Sequence, residues 1–122
     1  MGFVLDAIRK KNIIKIDTDV NVNWVSDIVS IDDIEGPFAI QLDYHLGITP
    51  DMDFQLEGSN DGVTFVPIVD GETSTLVTIS DPFGTHVWDV GALGVSKLRV
   101  SIVVRSGSIT LTKLLFNARR RH

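Results

Sequence analysis

The chain has 122 residues, 43% hydrophobic and 22% charged, with a net charge of −5. That is the size of one domain, able to bury about two thirds of its unfolded surface without covalent staples. The absence of cysteine excludes disulfides and thiolate metal centres. No apolar run approaches the roughly 20 residues of a membrane-spanning helix.

The first residues, Met1-Gly-Phe-Val-Leu-Asp, do not read as an export signal, because the apolar stretch is short and the basic residues follow it. Gly2 is not a myristoylation start, since Asp6 stands where Ser or Thr is needed. The protein is therefore expected to stay in the cell that makes it, or to leave as part of something larger. Residues 3–11 offer one short helical turn. From Ile13 the pattern changes to alternation. Ile14, Ile16, Thr18, Val20, Val22 and Trp24 point one way, and Lys15, Asp17, Asp19, Asn21 and Asn23 the other, which predicts a half-buried strand.

Further β-rich runs follow at 25–31, 38–46, 53–57, 63–69, 74–80, 85–90, 97–105 and 109–117. Turn residues separate them, among them Gly36-Pro37, Asp70-Gly71, Asp81-Pro82 and Ser106-Gly107-Ser108. The runs at 98–104 and 109–115 read as a hairpin about Ser106-Gly107-Ser108. No amphipathic helices of βαβ length intervene. The expectation is an all-β, two-sheet antiparallel β-sandwich, jelly-roll-like, with eight or nine strands. It forms one domain over 1–122, with an N-terminal arm at 1–12 and a basic C-terminal tail at 118–122.

Charge is segregated. No Lys or Arg lies between Ile16 and Ser96, and every acid except Asp6 lies there. Scattered acids would merely solubilise loops, and soluble surfaces usually mix both signs. If the first and last strands lie side by side, as in many antiparallel sandwiches, one face becomes basic opposite acidic loops. Such a body suits head-to-tail packing or docking on a charged lattice. Arg9, Lys10, Lys11, Arg119, Arg120 and Arg121 are the expected interaction residues. The acidic total and the lack of a recognition helix, zinc finger or ribonucleoprotein motif argue against nucleic acid as the main partner.

Catalytic and metal patterns are weak. Asp17-Thr-Asp-Val-Asn-Val-Asn23 lacks the Gly and distal Glu of an EF-hand and reads better as the polar face of a strand. Asp51, Asp53, Glu57, Asn60 and Asp61 read as solvated loop acids and amides before they read as a cation site. His45, His86 and His122 are far apart in sequence. Ser80, Asp81 and His86 have hydrolase side chains without a GxSxG elbow. Neither GxxxxGK[ST] nor GxGxxG occurs. The expectation is a protein that is not an enzyme, with no cofactor, catalytic group or metal.

The most specific stretch is Phe54-Gln-Leu-Glu-Gly-Ser-Asn-Asp-Gly-Val-Thr-Phe65, a strand, a tight turn at Asn60-Asp61-Gly62, and a second strand. Its Gly58-Ser-Asn-Asp-Gly62 turn resembles the hairpin of discoidin-like and galactose-binding-like sandwiches and of small β-sandwich proteins of bacteriophage virions. The C-terminal strands look like the closing strands of such domains. The chain is shorter than discoidin lectins and lacks their disulfide, which favours the viral likeness. The resemblance implies a capsid, vertex, decoration or tail component located in the virion. Its partners would be copies of itself and other virion proteins. The alternative is a carbohydrate-binding module, with Asn60, Asp61, His86 and Trp88 as a ligand loop and Trp88 as a stacking platform for a glycan.

Overall fold

The computed structural model describes residues 9–15, 18–32, 34–70, 73–81, 84–91 and 95–120. The expected tail residues Arg121 and His122, and residues 1–8 of the expected arm, lie outside them. The backbone of Arg9–Lys15 is described; its side chains are not. Arg9, Lys10 and Lys11 belong to a strand, not to the helical turn expected over 3–11.

Two long strands organise the fold. β5 (Ile34–Ser59) and β11 (Lys97–Arg120) pair antiparallel along nearly their whole lengths. Their alternation explains both strands. On β5, Phe38, Ile40, Leu42, Tyr44, Met52, Phe54 and Leu56 are buried. On β11 the buried side chains are Leu98, Val100, Ile102, Ile109, Leu111, Leu114, Phe116 and Ala118. A period of two with one wet face is what a sheet over a core requires.

The ribbon is folded over. Tyr44 and Phe54 would lie about 33 Å apart on a straight strand, yet their ring centroids are 5.6 Å apart, edge to face. The fold line runs through residues 47–50 of β5 and 106–108 of β11, where the pairing register slips. Gly107 has φ 78°, and a Cβ there would sit 2.6 Å from the Ile48 carbonyl oxygen, with the Thr49 carbonyl crowding it as well. Only glycine tolerates both conditions. A second irregularity between Leu111 and Lys113 places Thr112 as an extra residue, whose hydroxyl donates to the Asp43 carbonyl at 3.0 Å. The bulge resets the alternation, so Leu111 and Leu114 both face the core.

Folding the ribbon makes two sheets. The first has the order β1 (Arg9–Lys15), β11, β5, β10 (Gly84–Val90), with β2 (Thr18–Val20) continuing the β1 side at Ile109. The second has β3 (Trp24–Val25) and β4 (Val29–Ser30) on the free side of β11. It also has β6 (Val66–Pro67) and β9 (Val77–Ile79) on the free side of β5. A small pair, β7 (Val69–Asp70) with β8 (Thr73–Ser74), stands apart. The chain before β5 thus runs along β11, and the chain after β5 runs back along β5. That doubly wound antiparallel path is a jelly roll, as the strand pattern predicts. One buried cluster joins the two sheets. Trp88 of β10 ties them as well, its indole N–H donating to the Thr75 carbonyl at 2.8 Å.

Two expectations fail. Residues 98–104 and 109–115 do not form a hairpin; they are successive parts of β11, and each pairs with β5. The alternating strand from Ile13 to Trp24 is also broken. β2 ends at Val20, and Val22 is 69% exposed at the fold line. There Asn23 crosses to the second sheet, its side-chain oxygen accepting from the Val104 amide at 2.8 Å.

Candidate interaction surface

The first and last strands do lie side by side. Arg9 pairs with Arg119, Lys10 with Ala118 and Lys11 with Asn117, and Arg120 lies opposite Ile34 of β5. The basic residues from the two ends of the chain are thereby gathered into one corner of the first sheet. Only the backbone register places them there, since the side chains of Arg9–Lys15, Arg119 and Arg120 are not described. Arg121 lies outside the described residues.

Three other cations, Lys97, Arg99 and Arg105, are paired with acids of the middle stretch. The Arg105 guanidinium spans two carboxylates on the outer face of the second sheet. Nη1 donates to Asp53 at 2.6 Å and Nη2 to Asp51 at 2.6 Å. Thr78 adds a hydrogen bond to Asp53 at 2.9 Å. Hydrogen bonds from Arg105 hold both carboxyls below the usual range, and the pair raises the guanidinium in turn. Farther along the same strands, Arg99 donates to Glu57 at 2.8 Å and lies 4.1 Å over the Phe65 ring. Phe65 therefore packs under a cation and not in the core beside Phe54. Lys97 approaches Asp32 at 3.8 Å. Part of the charge segregated in sequence is thus paired across the second sheet.

The first sheet's outer face holds a shallow groove of about 230 Å³ lined by Ala39, Gln41, Val87, Leu115, Phe116 and Asn117. Val87 is 50% exposed, and Asp89 beside it on the same face is exposed. Sequence reasoning passed over these residues. Alternation on β10 carried the signal, since a buried Trp88 sends Val87 and Asp89 outward.

The expected glycan loop is not assembled. Asn60 and Asp61 shape the turn after β5. Asn60 accepts from the Ser96 amide at 3.0 Å, and Asp61 accepts from the Val63 and Thr64 amides at 2.8 Å each and from the Ser59 hydroxyl at 2.7 Å. Those bonds lower the Asp61 carboxyl to about 2. Gly62, with φ 77°, completes the turn, and Gly58 pairs with Val66 across it. His86 and Trp88 sit instead on β10, opposite Leu42 and Ile40. Trp88 is 5% exposed, so it cannot serve as a stacking platform. Its ring centroid lies 4.6 Å from that of His86, edge to face. Burial lowers the His86 imidazole, and its buried Nε2 has no hydrogen-bond partner among the described residues. Asp51, Asp53 and Glu57 are committed to arginines. Among the described residues no group of three or more His, Cys, Asp and Glu side chains is placed to hold a metal ion. No described helix is long and apolar enough to cross a membrane.

No family model matches the sequence, and no curated protein matches it. Solved structures do resemble the fold. VP2 of infectious bursal disease virus, in its subviral particle, overlays with a TM-score of 0.63 at 10% identity, over 92% of this chain and 32% of VP2. The SPBc2 prophage-derived protein YomS overlays at 0.58 and 10% identity, over 91% of this chain and 96% of YomS. A xylan-binding module, CBM15, overlays at 0.50 and 10% identity, over 80% of this chain and 71% of the module. The chain spans about a third of the VP2 length. At these identities the likeness establishes the fold, an antiparallel β-sandwich shared with capsid proteins.

Proposed function

We propose that this chain is a non-enzymatic structural component of a virus particle, bacteriophage in kind, that assembles with copies of itself or docks on a particle lattice. The observation that carries the reading is the jelly-roll path itself. It overlays 92% of this chain on a viral shell protein and 91% on a prophage-derived protein of nearly the same extent. Charge supports it. Basic residues of β1 and β11 are register neighbours, while Lys97, Arg99 and Arg105 of the second sheet are paired with acids. Assembly driven partly by charge against charge weakens as salt screens it. Light scattering across protein concentration at low and high ionic strength tests this. Growth of the scattering mass with concentration, reduced by salt, is the expected result; a mass fixed at one chain under every condition refutes self-assembly.

A second reading, a carbohydrate-binding module, draws on the likeness to the xylan-binding module and on the groove with its Gln41 and Asn117 amides. The site would then be that groove and not the turn at Asn60. A glycan array decides. Binding abolished by Gln41→Ala with assembly intact would favour the module; an array without hits removes it.

A further inference from the structure

The first sheet has two edges of opposite charge whose residues stand in matching rows. Among the described residues, β1 has one strand neighbour, β11, and β10 has one, β5. β1 carries Arg9, Lys10, Lys11 and Lys15 and no acid, while β10 carries Asp89 and no Lys or Arg. One row across the sheet reads Lys11, Asn117, Ala39, Asp89, and the next reads Ile13, Leu115, Gln41, Val87. A cationic position at one edge therefore shares its row with an anionic one at the other. An apolar position likewise shares its row with exposed Val87. Strand directions alternate across the order β1, β11, β5, β10, so a β1 strand laid beside the β10 of another copy continues the antiparallel sheet.

We infer that β10 of one copy docks against β1 of the next, extending the first sheet from subunit to subunit with Lys11 facing Asp89 and Ile13 facing Val87. This rests on the self-assembly reading and specifies its interface. Backbone hydrogen bonds supply the general attraction of an added strand, and the charge row fixes register and direction. Two different edges meet, so the contact is heterologous and builds a ring or an open array instead of an isologous dimer. The twist of successive strands decides the curvature. Lysines on an edge strand can instead be a guard against sheet-to-sheet pairing, and the two roles make opposite predictions.

The test uses Lys11→Asp and Asp89→Lys in the full chain, each checked by circular dichroism for the wild-type β spectrum. Sedimentation velocity should show each variant alone associating at least about tenfold more weakly than wild type, since a favourable cross-strand pair becomes a like-charge one. Mixing the two variants should restore association, because each then offers the edge the other lacks. Rescue by mixing also answers the objection that a variant simply misfolds. If wild type associates and both variants match it, or if Lys11→Asp strengthens association as removal of a guard would, the edge contact is refuted and assembly by another surface stands. A wild type that stays monomeric refutes the assembly reading and the edge together.

Discussion

Gly107 holds the fold line of the ribbon, and replacing it by alanine separates the bent-strand account from any in which 106–108 is an ordinary loop. Two costs add. Alanine at φ 78° carries strain of about 1–2 kcal/mol. The new Cβ would lie 2.6 Å from the Ile48 carbonyl oxygen and 2.7 Å from the Pro50 Cα. Both are backbone atoms of the opposing strand, so the ribbon must part at its crease, and overpacking of this kind costs about 1–3 kcal/mol more. A total near 3 kcal/mol is a large fraction of the 5–15 kcal/mol that holds a typical domain together, and lowers Tm by about 12 °C. Gly62→Ala is the internal control. Its φ of 77° brings the same strain, but its Cβ meets nothing nearer than the Lys97 Cδ at 3.7 Å. That change should cost about 1 kcal/mol and about 4 °C. Urea and thermal unfolding followed by circular dichroism measure both. Equal losses, or a loss below about 1 kcal/mol at Gly107, would refute the tight crease.

Three further outcomes follow from the same geometry. Trp88→Phe removes the donor to the Thr75 carbonyl and one of the two fused rings, and should lower stability by at least about 1–3 kcal/mol with an unchanged urea m-value. Ser26→Ala should cost a similar ~1–3 kcal/mol, because the Ser26 hydroxyl accepts from the buried Val100 amide at 2.8 Å where the β3 and β4 pairings leave a gap; a neutral result would show that another acceptor serves that amide. Asp61 has its carboxyl lowered from 3.8 to about 2, so its contribution is present above the unfolded value and fades as pH falls from about 4 through 2. The stability difference between wild type and Asp61→Asn, measured by urea unfolding across that range, should therefore shrink toward pH 2; a constant difference would place the turn's stability elsewhere.

Strand identity and inward faces were legible because the cause is local. Phe38, Ile40, Leu42 and Tyr44 alternate in sequence as they do in space. The pairing of the two chain ends was legible only as the arrangement common in antiparallel sandwiches, a condition that the register of β1 on β11 meets. The false hairpin at Ser106-Gly107-Ser108 has a physical reason. A glycine at positive φ serves a reversal and a crease equally well, and only the partner strand decides between them. Residues 34–59 supply a partner long enough to pair with both arms, so the chain bends instead of turning back. Val22 failed similarly, since alternation cannot register that the strand leaves one sheet for the other there. Sequence leaves Trp88 open between a core residue and a stacking platform, because the environment that decides comes from Thr75 and Ile40, both far away in sequence.

The central claim, that this jelly roll is an assembly subunit, is tested most directly by electron microscopy of the purified protein at high concentration and low salt. The account predicts rings, shells or filaments built on one repeated contact that continues a sheet from copy to copy. Isolated single domains in every field would contradict it.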